Sequence, residues 1–387
     1  MSQSKLEATE IIVGQALRWC VYNIDGLLLL KKNYIIRSQR QLEVLLEIGL
    51  YRNKAKEQKE KIRQHEPVPI EPINGNVLPF ESIVDNTNRL KALFTQIENK
   101  HAGVGERILQ LSADIRTLCT KDLDAALGIV HLVHDIEYTA IHPIHTAILS
   151  DLIAQHLGYD KDLRQLIIAA NLTSNIGMLK LQARLYHQST PLTLAQHEEI
   201  KAHPARAVAM LKEVGIDNEL WLTMIMQHHE CIDGSGYLRL KEAEVIKEAE
   251  ILALSDRYAA MVSPRETRNA LLGKECLMHL FVDRGKQYDE ELSLLFIKLL
   301  GVYPPGSIVQ LNNNETAVVI GRPVDNTKPL VKSFLTPLGS RYTHAKYRDC
   351  NDDKYAIKNS SISKITHSLN LNELWSYVED EIVVNDA

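Results

Sequence analysis

The spacing of hydrophobic and polar positions changes along the chain. Residues 11–53 begin with short apolar runs on either side of Asn23-Ile24-Asp25-Gly26, and an Asp-Gly turn between such runs predicts a β-hairpin. After Ser38, a candidate N-cap, leucines recur at helical spacing; these are Leu42, Leu45, Leu46 and Leu50. The pattern therefore predicts a small N-terminal module of hairpin and helix over residues 1–53.

The middle of the chain has helical periodicity. Residues 54–78 begin as a charged run and end in a proline-rich stretch, which is typical of a linker. From about Phe80 to Leu300, apolar positions recur at helical spacing, with Gly, Pro, Asn and Asp between the segments. We divide this part into a helical connector, residues 79–126, and a helical domain, residues 127–303.

The C-terminal part returns to strand-like alternation. Residues 304–322 contain two apolar runs around the polar positions Asn312 to Asn314, which predicts a second hairpin within an extension over residues 304–345. Residues 346–387 are polar and acidic, and we expect this tail to be peripheral. The predicted fold class is mainly α: a helical bundle with a small N-terminal α+β module and a short C-terminal β-hairpin.

Composition excludes several classes of protein. The 387 residues carry a formal net charge of −5, with 45% hydrophobic and 24% charged residues, unlike a disordered chain or a basic nucleic-acid coat protein. The five cysteines lack CxxC spacing, which favours reduced thiols. Because we find neither a signal peptide nor an apolar stretch of the ~18 residues that a membrane span needs, we expect a cytoplasmic protein without a nucleic-acid partner.

Several of the 15 histidines stand in positions that suit a metal site. His228 and His229 are adjacent and precede a loop with two glycines, which permits a close backbone approach to a ligand. His142, His203 and Asp256 lie in separate predicted helices, and helical folds build interior metal sites from residues on different helices. Imidazole and carboxylate suit Zn, Mn and Fe alike. Taken singly, each histidine is more often an unrelated core or surface residue.

These strings resemble HD-GYP domains, the bacterial phosphodiesterases that hydrolyse cyclic di-GMP. The string HHECIDGSGYL at 228–238 is similar to the family's HHE-xx-DGSGYP loop, and three further segments are similar to those that carry its other ligands. The match runs from about Leu127 to Arg322 in consistent order and implies an HD-GYP-like helical bundle. It also implies a set of metal ligands, namely His142, His203, His228, His229 and Asp256.

Three central positions depart from the family pattern. Ser174 and Asn175 stand where the family has its adjacent His and Asp, and Met178 replaces the lysine that follows. A carboxamide is a poor ligand for a divalent transition metal, and without the bridging Asp a two-metal site cannot activate water. We therefore expect a degenerate site without catalytic residues. Leu238 also replaces the Pro of the GYP string, which we expect to loosen the loop.

The same pocket is a candidate for ligand binding. The loop residues Asp233, Gly234, Gly236 and Tyr237 are expected to offer exposed backbone amides and an aromatic face. Arg265 and Arg268 stand three apart at a predicted helix end, and their register matches basic positions that lie near the nucleotide's phosphates in the family.

Three functional hypotheses remain. The first is a protein that binds cyclic di-GMP or a related guanine nucleotide, or docks a signalling partner such as a diguanylate cyclase, without hydrolysis. The second is an active metal-dependent phosphodiesterase with a reduced metal site, and the third is an interaction module with a vestigial pocket. The cofactor is correspondingly open between one divalent metal (Fe, Mn or Zn) and none.

Overall fold

The protein divides into two compact units, Met1–Pro69 and Ile70–Ala387. The computed structural model describes residues 3–5, 11–15, 17, 21–22, 28–30, 34, 36, 38–48, 51–53, 78–266, 269–322, 328–360 and 369–377. Each unit has its own buried core.

The N-terminal unit combines an antiparallel sheet with one helix. Its elements are β1 (Gln3–Lys5), β2 (Val21–Tyr22), β3 (Leu28–Leu30), α1 (Gln39–Ile48) and β4 (Tyr51–Asn53), with strand order β1-β4-β2-β3. Strands β2 and β3 pair as the predicted hairpin, whose turn lies outside the described residues, as does Leu50. The helix begins directly after Ser38, as predicted, and buries Leu42 in the unit's core.

The helical part of the second unit extends from Pro79 to Leu300, in agreement with the periodicity. Its helices are α2 (Pro79–Glu98), α3 (Val104–Lys121), α4 (Leu123–Leu132), α5 (Tyr138–His156), α6 (Lys161–Thr173), α7 (Leu179–His187), α8 (Leu194–Lys201), α9 (His203–Glu213), α10 (Glu219–Gln227), α11 (Lys247–Val262), α12 (Gly273–Asp283) and α13 (Glu290–Leu300). One hydrophobic core continues through the predicted connector and the predicted helical domain.

Helix α5 lies at the centre of this bundle. Every residue from Tyr138 to Ala154 is buried, and the helix packs against both α6 and α11. A helix that is buried on all sides carries its polar residues into the interior, so each of them needs a partner or a ligand there.

Local sequence fixes the ends of the helices around α5. Asp160 accepts a hydrogen bond from the amide of Leu163 at 2.8 Å and so begins α6. Pro204 lies in the first turn of α9, where its missing N–H costs nothing, and this places His203 at the helix start. Among the described residues, no helix is long and apolar enough to cross a membrane.

A five-stranded antiparallel sheet follows the helices. Its strands are β5 (Ile308–Leu311), β6 (Thr316–Gly321), β7 (Leu330–Leu335), β8 (Arg341–Arg348) and β9 (Ile357–Ser360), in the order β8-β7-β6-β5-β9. The predicted hairpin is formed by β5 and β6, with Ile308 opposite Val318. The sheet is therefore larger than the sequence pattern indicated.

The predicted tail over residues 346–387 contributes to the C-terminal sheet. Its described residues complete β8, form β9 and form a short helix, α14 (Leu371–Leu374). Trp375 packs against Phe80 with ring centroids 5.0 Å apart, and a Cβ on Gly128 would lie 2.7 Å from the indole. Most described residues of the tail are exposed or half-buried, while Cys350 and Leu374 are buried.

Candidate functional site

Three imidazoles meet where α9 and α10 adjoin the loop that follows α10. His203 is the first residue of α9, and His228 and His229 follow the end of α10. One ring nitrogen from each histidine can be chosen so that all three lie within 4.8 Å of one another. His203 and His228 are fully buried, so their polar atoms face one another rather than solvent.

Backbone contacts orient two of these rings. His203 Nδ1 donates to the carbonyl of Ile200 at 2.6 Å, and His228 Nδ1 donates to the carbonyl of Ile225 at 2.6 Å. In these tautomers both Nε2 atoms are acceptors, and they lie 3.2 Å apart. Two lone pairs at this distance repel each other unless a cation lies between them. Such outer bonds are also how proteins orient metal-binding histidines.

The triad fits a single metal ion. Burial, reinforced by the neighbouring His228, lowers the pKa of His203 to about 3. Burial also lowers the pKa of His228 and of His229, so all three rings are neutral at pH 7 and available as ligands. Two ligands about 2.0–2.1 Å from a tetrahedral metal stand roughly 3.3 Å apart, close to the observed Nε2 separation.

The other two predicted ligands are bonded to each other. His142 on α5 and Asp256 on α11 are joined by a 2.9 Å hydrogen bond between Nε2 and Oδ1. Burial alone would raise the pKa of Asp256, yet the contact with His142 holds it well below its usual range. The ring of Tyr138 stacks on His142 with centroids 4.9 Å apart. His142 Nδ1 is buried and has no partner among the described residues.

The positions that depart from the family lie between α6 and α7. Ser174 is buried and donates to the carbonyl of Asn171 at 3.2 Å, so its hydroxyl is satisfied within its own helix end. Asn175 is 2% exposed, and its Oδ1 has no partner within the described part of the chain. Gly177 allows this turn to touch α9, since a Cβ there would lie 2.3 Å from the carbonyl oxygen of His203.

These side chains open into a pocket of about 320 Å³, which we call the inner pocket. Its lining includes His142, Asn175, Met178, His229, Tyr237, Asp256 and Arg265. Arg265 Nε is buried without a partner among the described residues, and its Cζ lies 5.8 Å from the centre of the Tyr138 ring. Arg265 follows the end of α11 by three residues instead of lying on a helix, and Arg268 lies outside the described residues.

Four amides in and next to the glycine loop donate to groups within the protein. The amide of Gly234 donates to the carbonyl of Cys231, and the amide of Ser235 donates to the carboxylate of Asp233. The carboxylate of Glu230 accepts hydrogen bonds from the amides of Leu238 and Leu240, at 2.8 and 3.0 Å. The amides of Gly234, Ser235, Leu238 and Leu240 are therefore already used.

The amide of Leu238 gives this loop a hydrogen bond that a proline at position 238 could not make, because a proline has no N–H to donate to Glu230. Gly236 is required by the same contact, because a Cβ there would lie 2.6 Å from the Glu230 backbone. The loop presents the ring of Tyr237 to the inner pocket, 4.8 Å from the ring of His229.

Sequence reasoning missed the contribution of α7. Gln182, Leu185 and Tyr186 line the inner pocket, and they are spaced i, i+3 and i+4 on one helical face. This spacing, directly after the Ser174–Met178 turn, is the signal that could have identified them. Tyr186 lies 5.5 Å from Tyr138, centre to centre.

The fold and this constellation have counterparts in known proteins. Residues 130–292 match the family model of the HD domain. The chain is 27% identical over 217 residues to a cyclic di-GMP phosphodiesterase of Pseudomonas aeruginosa, covering 55% of this chain and 52% of that protein. It is 24% identical over 193 residues to the cyclic di-GMP phosphodiesterase PdeB of Borreliella burgdorferi, covering 50% of each.

A solved structure shares the fold. An HD-G"Y"P protein from Bdellovibrio bacteriovorus superposes with a TM-score of 0.53 at 15% identity, over 77% of this chain and 99% of that one. The alignments with the two phosphodiesterases span about half the length of those relatives.

Proposed function

We propose that this chain, which carries an HD domain of the HD-GYP type, binds a cyclic dinucleotide of the cyclic di-GMP class without hydrolysing it. The observation that carries the proposal is Asn175: a neutral carboxamide lines the pocket, at the position matched to the family's bridging Asp. An amide oxygen supplies no negative charge to offset two metal ions.

The surrounding residues support a role in binding. The inner pocket combines a guanidinium, Arg265, with the aromatic rings of Tyr138 and Tyr237. Arginine recognises phosphate oxygens through paired N–H donors, and aromatic rings stack on nucleobases. Two of the relatives named above are cyclic di-GMP phosphodiesterases, and retention of the ligand without the chemistry is the simplest consequence of lacking the His and the Asp that match positions 174 and 175.

A second candidate is hydrolysis with one metal. The two facing Nε2 atoms of His203 and His228 favour it, because they suit a single bound cation. A metal there would act as a Lewis acid toward a phosphoryl oxygen. Met178 stands at the position matched to the family's lysine, so this chain supplies no second positive charge from that position.

The deciding experiment measures metal content, binding and product formation on the same preparation. Purified protein is loaded with Mn or Fe, and we expect at most one equivalent to remain. Calorimetry with cyclic di-GMP should show micromolar or weaker binding, weakened by at least tenfold in Arg265→Ala. Linearised product above a metal-only control, lost in His228→Ala, would establish the second candidate.

A gain-of-function variant provides the matched control. In Ser174→His combined with Asn175→Asp and Met178→Lys, the ligand set of the family is restored. We expect this variant to bind two metal equivalents and to form product, since removing single stabilisers typically costs ~10²–10³ in rate. Absence of cyclic di-GMP binding in the wild type would contradict the proposal, whatever the variant does.

A further inference from the structure

A second pocket adjoins the inner pocket across an aromatic partition. This outer pocket has a volume of about 520 Å³ and is lined by residues that include His134, Asp135, Glu137 and His187. Tyr138 and Tyr186 line both pockets. Volumes of roughly 300–1,000 Å³ are typical of small-molecule sites.

The partition forms a column of rings that ends at the outer pocket. The ring of Tyr138 is 4.9 Å from His142 at an angle of 22°, and the ring of Tyr186 is 5.5 Å from Tyr138 at 32°. Tyr138 is buried between these two neighbours, whereas Tyr186 is half-buried. Tyr186 is therefore the ring of this column that a flat ligand can meet.

One carboxylate in the outer pocket is not engaged by the protein. Glu137 is paired with Lys91 at 2.5 Å and accepts a bond from Thr139, and His187 is paired with Glu266 at 2.7 Å. Asp135 is exposed and has no hydrogen-bond or ion-pair partner among the described residues. The outer pocket thus combines the ring of Tyr186, on which a flat ligand can stack, with the two carboxylate oxygens of Asp135, which can accept hydrogen bonds.

We infer that the outer pocket binds a guanine-type base, with Tyr186 stacking on the ring and Asp135 accepting hydrogen bonds from its donor edge. Guanine has adjacent N1–H and 2-amino donors, which one carboxylate can accept together. Adenine places an acceptor nitrogen beside its amino group, and that lone pair faces the carboxylate unfavourably. The pocket therefore selects guanine over adenine.

This inference rests on the proposed function, because it assigns the two pockets to two parts of one ligand. A phosphate of the cyclic dinucleotide contacts Arg265 in the inner pocket, and one base crosses the partition to the outer pocket. The selectivity of the site for guanine is then set by Asp135, outside the residues matched to the family's metal ligands.

Two ligand series test the outer pocket separately from the phosphate site. Ligand-observed NMR titrations with guanosine and adenosine contain no phosphate and so do not depend on Arg265. We expect tighter binding of guanosine, a loss of about tenfold for guanosine alone in Asp135→Asn, and weaker binding of both nucleosides in Tyr186→Leu. The exposed Asp217→Asn, between α9 and α10 and in neither pocket, should behave like the wild type.

Calorimetry with cyclic di-GMP, cyclic GMP-AMP and cyclic di-AMP then completes the experiment. Asp135→Asn should reduce the preference for cyclic di-GMP over cyclic di-AMP by about tenfold. Equal affinities of the wild type for guanosine and adenosine, or an unchanged preference in Asp135→Asn, would overturn the inference. A guanosine preference without any binding of cyclic di-GMP would leave the outer pocket established and the proposed function refuted.

Discussion

Helices α5 and α6 carry two polar clusters of opposite character. At one end of the pair, Asp151 on α5 accepts two hydrogen bonds from the Arg164 guanidinium on α6, at 2.8 and 2.7 Å. At the other end, about two and a half turns along α5, His142 Nδ1 and the neighbouring Asn175 Oδ1 have no partners among the described residues. Both clusters are buried, but only the first is complete.

The presence or absence of a partner distinguishes buried polar groups that stabilise the fold from those that serve a binding site. A buried polar group that lacks a partner costs roughly 1–3 kcal/mol, so a fold that is selected only for stability would pair or replace it. The Asp151–Arg164 pair holds two helices together and leaves nothing for a ligand to bind. The pocket keeps unpaired acceptors and the unpaired Nε of Arg265, which is the pattern of a site that an external ligand completes.

The largest effect should come from breaking the complete cluster. Asp151→Asn leaves the guanidinium of Arg164 buried without its counter-charge, and we expect a loss of about 3–5 kcal/mol in the free energy of unfolding. Asp256→Asn is the matched change in the pocket; its carboxylate has one hydrogen bond, at 2.9 Å to His142, in place of the two that Asp151 accepts, and we expect a smaller loss of about 1 kcal/mol. Urea denaturation of both variants measures the two losses in the free energy of unfolding. Equal losses would contradict the difference that we draw between the two clusters.

Prediction from sequence succeeded where a pattern repeats or a string is specific. Helical periodicity identified the bundle from Phe80 to Leu300, because burial of one core imposes that spacing on every helix. The HH pair and the DGSGY loop identified the region of the pocket. Periodicity could not show that Leu371, Leu374 and Trp375 pack against the rest of the unit, because so short an apolar segment has no repeat.

The details of the site were less predictable, because they depend on contacts between distant segments. The bond between His142 and Asp256 follows from how α5 and α11 pack. No local pattern indicates that the buried carboxylate of Glu230 accepts the amides of Leu238 and Leu240. Arg265 lines the inner pocket, but the predicted helix does not reach it, since α11 ends at Val262.

An intermediate effect should come from a second complete cluster, in the C-terminal sheet. Glu315 accepts hydrogen bonds from Arg348 at 2.6 and 2.8 Å and from Tyr342 at 2.7 Å. Burial would raise the pKa of Glu315, but the bonds from Arg348 outweigh it and hold the pKa at about 2. Glu315→Gln should cost about 1.5–3 kcal/mol at pH 7, because a charge-assisted pair is lost.

The pH dependence of that loss has a definite sign. The folded state depresses the pKa of Glu315 below its ordinary value of 4.5, so the ionised carboxylate stabilises the protein at any pH above 4.5. This contribution disappears as the pH falls from 4.5 toward about 2. The stability difference between the wild type and Glu315→Gln should therefore shrink below pH 4.5. A difference that stays constant down to pH 3 would show that the charge of Glu315 is not its cause. Glu291→Gln, exposed on α13, controls for the loss of one charge.

The smallest effects compare two asparagines that lie one turn apart. Asn171 is paired on both sides of its amide: Nδ2 donates to the carbonyl of Ile167 at 2.8 Å, and Oδ1 accepts from Ser150 at 3.3 Å. Asn171→Ala should therefore cost about 1–3 kcal/mol, whereas Asn175→Ala removes a buried acceptor without a partner and should not destabilise the ligand-free protein. Thermal unfolding without ligand measures the effect of both variants on stability.

The same measurement with saturating cyclic di-GMP tests whether Asn175 faces the ligand. In that case the ligand-induced rise in melting temperature should persist in Asn171→Ala and fall in Asn175→Ala. A large loss in ligand-free Asn175→Ala would mean that this amide is structural, and the contrast between the two ends of α6 would then fail.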